Sequence, residues 1–243
     1  MDAIIEVKGF QKSFGNKMIH KDVTFYVKKG ECLCLIGGSG VGKSVILRSL
    51  IGLEKPDAGR IEIHGTDIVP LSEKELIPFR KKTAYIFQGG ALFDSLSVFE
   101  NLAFPLREHL KLSSKEIRER VLFHLAEFGL HGTEKLYPNQ LSGGMQKRVG
   151  LARGIMLEPE VILYDEPTAG LDPSNTKKIQ EHILTLKAKG VTSILVTHDM
   201  PTAFAVADKM AFLFEGRIAA QGTMEQLEKE TNSLMSRFIA GEF

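Results

Sequence analysis

Hydrophobic positions along the chain fall into three regimes. Near the start they are short and β-branched: residues 4–8, and the aromatic alternation over 18–27, predict strands. Cys32-Leu33-Cys34-Leu35-Ile36 is an unbroken apolar run that stops at glycines, the pattern of a strand buried on both faces. Helical spacing follows over 45–51, then a turn across 52–59 and a strand over 60–64. From about 89 to 137, β-branched runs fade and helix formers take over. Ser113-Ser114-Lys115-Glu116 reads as a capping box, and Ile117, Val121, Leu125 and Phe128 after it form one apolar stripe. Beyond residue 158 strands and helices alternate again. Residues 161–164 and 193–197 are buried strands, and Asp172-Pro173 opens a helix that Gly190 ends. Glu215-Gly216 turns a hairpin between 209–214 and 217–220, and 224–243 is amphipathic and helical. This order predicts an α/β fold: a mostly parallel core sheet, an N-terminal antiparallel part and an inserted helical lobe. The expected organisation is one domain over 1–243, with the core in 1–88 and 158–222, the lobe in 89–157 and a tail in 223–243.

Charge and composition narrow the function. With 31 Lys+Arg against 30 Asp+Glu, the 243-residue chain has a net charge of +1, which disfavours a nucleic-acid binder driven by phosphate neutralisation. Its apolar runs fall far short of the roughly 20 residues that span a bilayer. The opening Met1-Asp2-Ala3-Ile4-Ile5-Glu6 lacks the basic start of a signal peptide, so a cytoplasmic chain is expected. Cys32 and Cys34, two apart on one strand, read as core. Arg80-Lys81-Lys82 reads as a solvated patch, while Lys147 and Arg148 are expected to pair within their own helix.

The chemistry begins after the first buried strand. Gly37-Gly38-Ser39-Gly40-Val41-Gly42-Lys43-Ser44 fits G-x-x-x-x-G-K-[ST] between a strand and a helix. Glycines let the backbone curl until several N–H groups point at one phosphate, and the helix N-terminus adds a favourable dipole. Lys43 supplies a charge for the β- and γ-phosphates, and the Ser44 hydroxyl is a ligand for Mg²⁺. Leu141-Ser142-Gly143-Gly144-Met145-Gln146 precedes a helix expected over 147–157, and offers a second anion site. The strand at 161–164 ends in Asp165-Glu166, two carboxylates where doubly wound sheets bind ligands. Asp165 suits a Mg²⁺ shell, and Glu166 suits the attacking water.

Taken in order, the cradle, Gln88, LSGGMQ at 141–146, Leu163-Tyr164-Asp165-Glu166-Pro167, Gly170-Leu171-Asp172 and Thr197-His198-Asp199 resemble the nucleotide-binding subunit of an ABC transporter, a P-loop NTPase. The resemblance covers about 4–222. It implies that ATP and Mg²⁺ bind at Lys43 and Ser44, and that Gln88 touches the metal and water and links to a transmembrane subunit. It implies that Ser142, Gly143 and Gly144 cover the γ-phosphate on another copy, that Asp172 lies at the dimer interface, and that His198 contacts the γ-phosphate. Phe14 falls where the family stacks an aromatic on adenine; a core position for it, with Phe10 as a rival, stays open.

Residues 88–101, Gln88-Gly89-Gly90-Ala91-Leu92-Phe93-Asp94-Ser95-Leu96-Ser97-Val98-Phe99-Glu100-Asn101, continuing to His109, resemble the Mla/Mce-associated lipid-transport ATPases. The end, Phe238-Ile239-Ala240-Gly241-Glu242-Phe243, does too. That resemblance implies a homodimer on the cytoplasmic face of the inner membrane. Its partners would be an Mla-type permease, an MCE-domain protein and a small STAS-like regulator, with membrane contact indirect and no nucleic acid. Gly89 and Gly90 would give hinge freedom, and Leu92, Phe93, Val98 and Phe99 either a groove for the permease or the lobe's own core. A polar-solute importer ATPase and a cell-division-type ABC ATPase are the alternative readings.

Overall fold

The structure, a computed structural model, describes residues 3–229 and 234–239. Ten strands form one curled sheet. They are β1 (Ala3–Phe14), β2 (Lys17–Lys28), β3 (Cys32–Ile36), β4 (Ala58–Ile63), β5 (Thr66–Asp67), β6 (Thr83–Ile86), β7 (Val161–Asp165), β8 (Thr192–Val196), β9 (Lys209–Phe214) and β10 (Arg217–Gly222). Their order is β5-β4-β1-β2-β10-β9-β3-β8-β7-β6. From β9 to β6 every neighbouring pair is parallel, while β5, β4, β1 and β2 pair antiparallel. The helices are α1 (Lys43–Leu50), α2 (Glu73–Lys82), α3 (Val98–His109), α4 (Ser114–Glu127), α5 (Gly143–Gly154), α6 (Pro173–Ala188), α7 (Met200–Val206), α8 (Met224–Lys229) and α9 (Leu234–Ile239).

Strand alternation deals the apolar side chains onto two faces. Cys32, Cys34, Ile162, Tyr164, Leu195, Met210 and Phe212 face one core, with Val98, Leu102, Val121 and Leu125 of α3 and α4 and Ile183 of α6. Leu33, Leu35, Leu163, Ile194, Val196 and Leu213 face the other, against Ile46 and Leu50 of α1 and the inner side of β1 and β2. Both cysteines are free and buried in the first core, which pushes the Cys32 thiol up to about 11. The capping box at Ser113 is present, with the Glu116 carboxylate on the Ser113 N–H at 2.7 Å.

Several expectations are corrected. β1 runs on to Phe14 rather than stopping at residue 8. Residues 73–86, read as no element, form α2 and β6. Arg80 is accordingly no solvated charge: its Nε donates to the Ile51 carbonyl at 2.8 Å while Glu73 holds the other end of the fork at 2.7 Å. α5 begins at Gly143, four residues earlier than expected, because the Ser142 hydroxyl caps it by accepting the Met145 N–H at 3.3 Å. Lys147 and Arg148 leave their own helix, donating to the Ala169 carbonyl and to Asn175 Oδ1. Gly90 lies against α5: a Cβ on Gly150 would stand 2.8 Å from the Gly90 Cα, so these glycines also serve close approach of two backbones. Of the tail, α8 and α9 are helical as expected, and the expectation for 230–233 and 240–243 lies outside the described residues.

Candidate functional site

Four parallel strands end on the same edge of the sheet, and their carboxyl ends supply the site. The chain leaves β3 into the glycine turn, β6 into Phe87-Gln88, β7 at Asp165-Glu166 and β8 into Thr197-His198. A cleft of about 400 Å³ opens there, lined by Ser39, Gly40, Gly42, Lys43, Ser44, Val45, Gln88, Glu166, Val196 and His198. A larger cleft of about 750 Å³ lies at the opposite strand ends, bordered by Phe123, Ile155, Ile162 and Thr192. Its one lining glycine, Gly190, follows the end of α6 rather than opening a helix, so the smaller cleft is the candidate site.

Lys43 is buried, and its ammonium donates to the carbonyls of Gly37 at 2.8 Å and Gly38 at 2.9 Å. Burial lowers its pKa, and Glu166 and Asp165 oppose that by favouring the charge. Val41 packs under the turn, 3.2 Å from where a Gly37 Cβ would stand. The Ser44 hydroxyl donates to Asp165 Oδ1 at 2.7 Å, and the Tyr85 hydroxyl donates to Oδ2 at 2.7 Å. Burial, and then this bond, raises the Tyr85 pKa, so the phenol stays a donor.

Glu166 sits at φ 50, a left-handed conformation that costs a non-glycine residue roughly 1–2 kcal/mol. Its N–H donates to the Val196 carbonyl at 2.9 Å, which ties the turn to β8. One carboxylate oxygen accepts from the Thr197 hydroxyl at 3.1 Å; the other lies 2.9 Å from His198 Nδ1. The side chain is thus aimed into the cleft beside the imidazole.

The remaining expected residues lie elsewhere. Ser142 and Gly143 are exposed at the start of α5, Gly144 is buried against Asn175, and Asp172 caps α6 by accepting the Asn175 N–H at 3.0 Å. None of the four lines the cleft of its own chain. Phe14 is 47% exposed with the Lys12 ammonium 5.2 Å from its ring centre, whereas Phe10 is wholly buried. Phe10 is therefore core, and Phe14 is the aromatic open to a ligand.

Sequence reading quoted Thr197 within Thr197-His198-Asp199 without giving it a role, and missed Tyr85 and His20. The His20 ring is fully buried, edge-on to Phe10 at 5.2 Å, and among the described residues neither nitrogen makes a hydrogen bond of good geometry, the Gly42 backbone lying nearest. It presses on the cradle from below, since a Cβ on Gly42 would lie 2.6 Å from its ring atoms. Burial holds its pKa down at about 4, from an ordinary 6.5. Below 6.5 the unfolded chain therefore binds a proton that the folded one refuses, and stability falls as pH drops from 6.5 towards 4. His20→Phe, which keeps an aromatic edge on Phe10, should remove up to about 3 kcal/mol of that loss, read from urea midpoints across this range. An unchanged pH slope would contradict it.

A glycine cradle at a helix start, a carboxylate on its serine and a second carboxylate facing the gap define a P-loop nucleotide hydrolase. The comparisons specify which. The ABC transporter family profile matches residues 20–169. A Mycobacterium leprae protein named probable ribonucleotide transport ATP-binding protein mkl is 45% identical over 242 residues, 99% of this chain and 70% of that protein. The intermembrane phospholipid transport system ATP-binding protein MlaF of Haemophilus influenzae is 40% identical over 240 residues, 98% of this chain and 91% of that protein. An ATP-binding cassette solved as a dimer in a post-hydrolysis state with ADP and Pi is 31% identical, with a TM-score of 0.84 over 90% of this chain and 98% of that one. The chain belongs to the ABC transporter family, as an ATP-binding subunit that hydrolyses ATP.

Proposed function

We propose that two copies of this chain enclose two ATP molecules head to tail, and that closing and reopening drives lipid through a transmembrane permease between membranes of the cell envelope. The carrying observation is that the expected nucleotide-contacting residues divide between the cleft and a surface away from it. The cradle, Gln88, Glu166 and His198 line the cleft, while the 142–144 turn and Asp172 stand away from it, free to reach another copy's nucleotide. The γ-phosphate then contributes binding energy chiefly in the closed pair, so ATP favours closure and hydrolysis releases it.

Within each site, amides of Gly38, Ser39, Gly40, Val41 and Gly42 surround the β-phosphate, and Lys43 leaves the Gly37 and Gly38 carbonyls for the β- and γ-oxygens. Ser44 Oγ and Asp165 Oδ1, already 2.7 Å apart, with the Gln88 side chain, are oxygen donors of the kind Mg²⁺ prefers. Mg²⁺ held by these residues would supply positive charge against the charge that develops on the phosphates. Glu166 accepts the proton of the attacking water or orients it, Thr197 holds that carboxylate in place, and His198 turns to the γ-phosphate. Phe14 stacks on adenine.

The lipid reading rests on residues 88–109 and on the phospholipid named for the Haemophilus relative. The ribonucleotide named for the Mycobacterium leprae relative favours a second reading, a polar-solute transporter. No helix among the described residues is long and apolar enough to cross a membrane; the family resemblance supports attachment to the inner membrane's cytoplasmic face through the permease. Phe93 is the proposed contact: it is 43% exposed, with Phe104 at 5.1 Å and the Arg153 guanidinium at 5.1 Å from its ring, whereas Val98 is lobe core. Purification from native membranes is expected to bring down a permease, an MCE-domain protein, a small STAS-like subunit and phospholipid. A solute-binding protein without lipid would favour the second reading. Phe93→Asp should lose the permease and keep basal ATPase; an intact complex would count against this contact.

A further inference from the structure

Asn175, in the first turn of α6, uses both ends of its amide. Its Oδ1 accepts from Arg148 Nη1 at 2.6 Å, and its Nδ2 donates to Asp172 Oδ2 at 2.5 Å. The orientation is chemically fixed, because a flipped amide would set N–H against guanidinium and oxygen against carboxylate. Arg148 is buried, and its Nε has no partner among the described residues, so Asn175 is its one side-chain anchor there. Gly144 completes the fit: a Cβ there would stand 2.6 Å from the Asn175 Cγ, so the bare backbone of the 142–144 turn lies directly on the amide. A second strap, from Lys147 to the Ala169 carbonyl, joins the same two segments.

The geometry points to Asn175 as a positioning residue that locks the 142–144 turn to Asp172, so that the two segments offered to the neighbouring copy move as one body. This rests on the head-to-tail pair proposed above. The lock makes closure concerted: a serine–glycine turn cannot settle on the neighbour's γ-phosphate unless Asp172 arrives with it. Charge-assisted bonds at both ends make its loss worth about tenfold or more in an equilibrium.

The test measures two constants for full-length variants in a Glu166→Gln background. One is ATP affinity of the single chain at dilution, which reads the cradle. The other is ATP-driven dimerisation by sedimentation. Asn175→Leu removes both bonds; Asn175→Asp keeps the shape and the Arg148 contact but turns the Asp172 contact repulsive. Both should weaken dimerisation by about tenfold or more while ATP affinity stays within about twofold. A steric role predicts that Asn175→Asp dimerises like the parent, and a general folding role predicts that affinity and dimerisation fall together; either overturns the lock. If the parent Glu166→Gln chain does not dimerise with ATP at all, the paired reading fails and the lock falls with it.

Discussion

Glu166→Gln is expected to cut ATP turnover by about 10²–10⁴-fold and to leave an ATP-bound dimer that outlives the assay. Glutamine keeps the size of the side chain and an oxygen for the Thr197 hydroxyl, now at 3.1 Å, so the left-handed turn at φ 50 and its bond to Val196 need not change. It removes the carboxylate beside His198 that can take a proton from water. Binding and closure should therefore survive while the chemical step stalls. The check pairs a phosphate-release assay with size-exclusion chromatography in ATP; unchanged turnover refutes the role of Glu166.

Gly42→Ala should abolish tight nucleotide binding through sterics alone. The residue sits at φ 96, and its added Cβ would lie 2.6 Å from the His20 ring and 2.7 Å from Ile19 Cγ2. His20 has no room to yield, being fully buried against Phe10. Backbone strain of roughly 1–2 kcal/mol and overpacking of roughly 1–3 kcal/mol together displace the amides that surround the phosphate. A loss above about tenfold in ATP affinity follows. Gly40→Ala is the control, since at φ 76 it has nothing within 4 Å and suffers strain only. Adding His20→Ala to Gly42→Ala should recover part of the affinity. Equal losses for Gly40→Ala and Gly42→Ala would show that His20 does not brace the cradle.

The parts of this protein legible in its sequence are those where local pattern and buried position coincide. The runs at 32–36 and 161–164 are apolar throughout because both faces of those strands are covered, and motif glycines and carboxylates sit at their ends. α2 escaped reading because it is a surface helix: Leu76 is its one buried residue, Pro78 lies inside it as a sequence signal against a helix, and its charges conceal the stripe. Two glycines at the start of α5 likewise argued against a helix there, and only the Ser142 cap overrides them. His20 was hidden in a strand of alternating aromatics, with nothing local to say that the ring ends beneath Gly42. Asn175 and Arg148 are 27 residues apart, and no spacing rule connects them. Contacts made across the fold, rather than along the chain, were the ones that sequence could not supply.

The paired arrangement is tested most directly by mixing two defective chains, one carrying Lys43→Ala and the other Ser142→Arg, and measuring labelled ATP retained through gel filtration in the Glu166→Gln background. Each chain alone lacks a complete site and should retain almost none. Mixed, the intact cradle of the second meets the intact turn of the first, and retention should reappear. A mixture that holds no more ATP than its separate components would contradict a site shared between two copies.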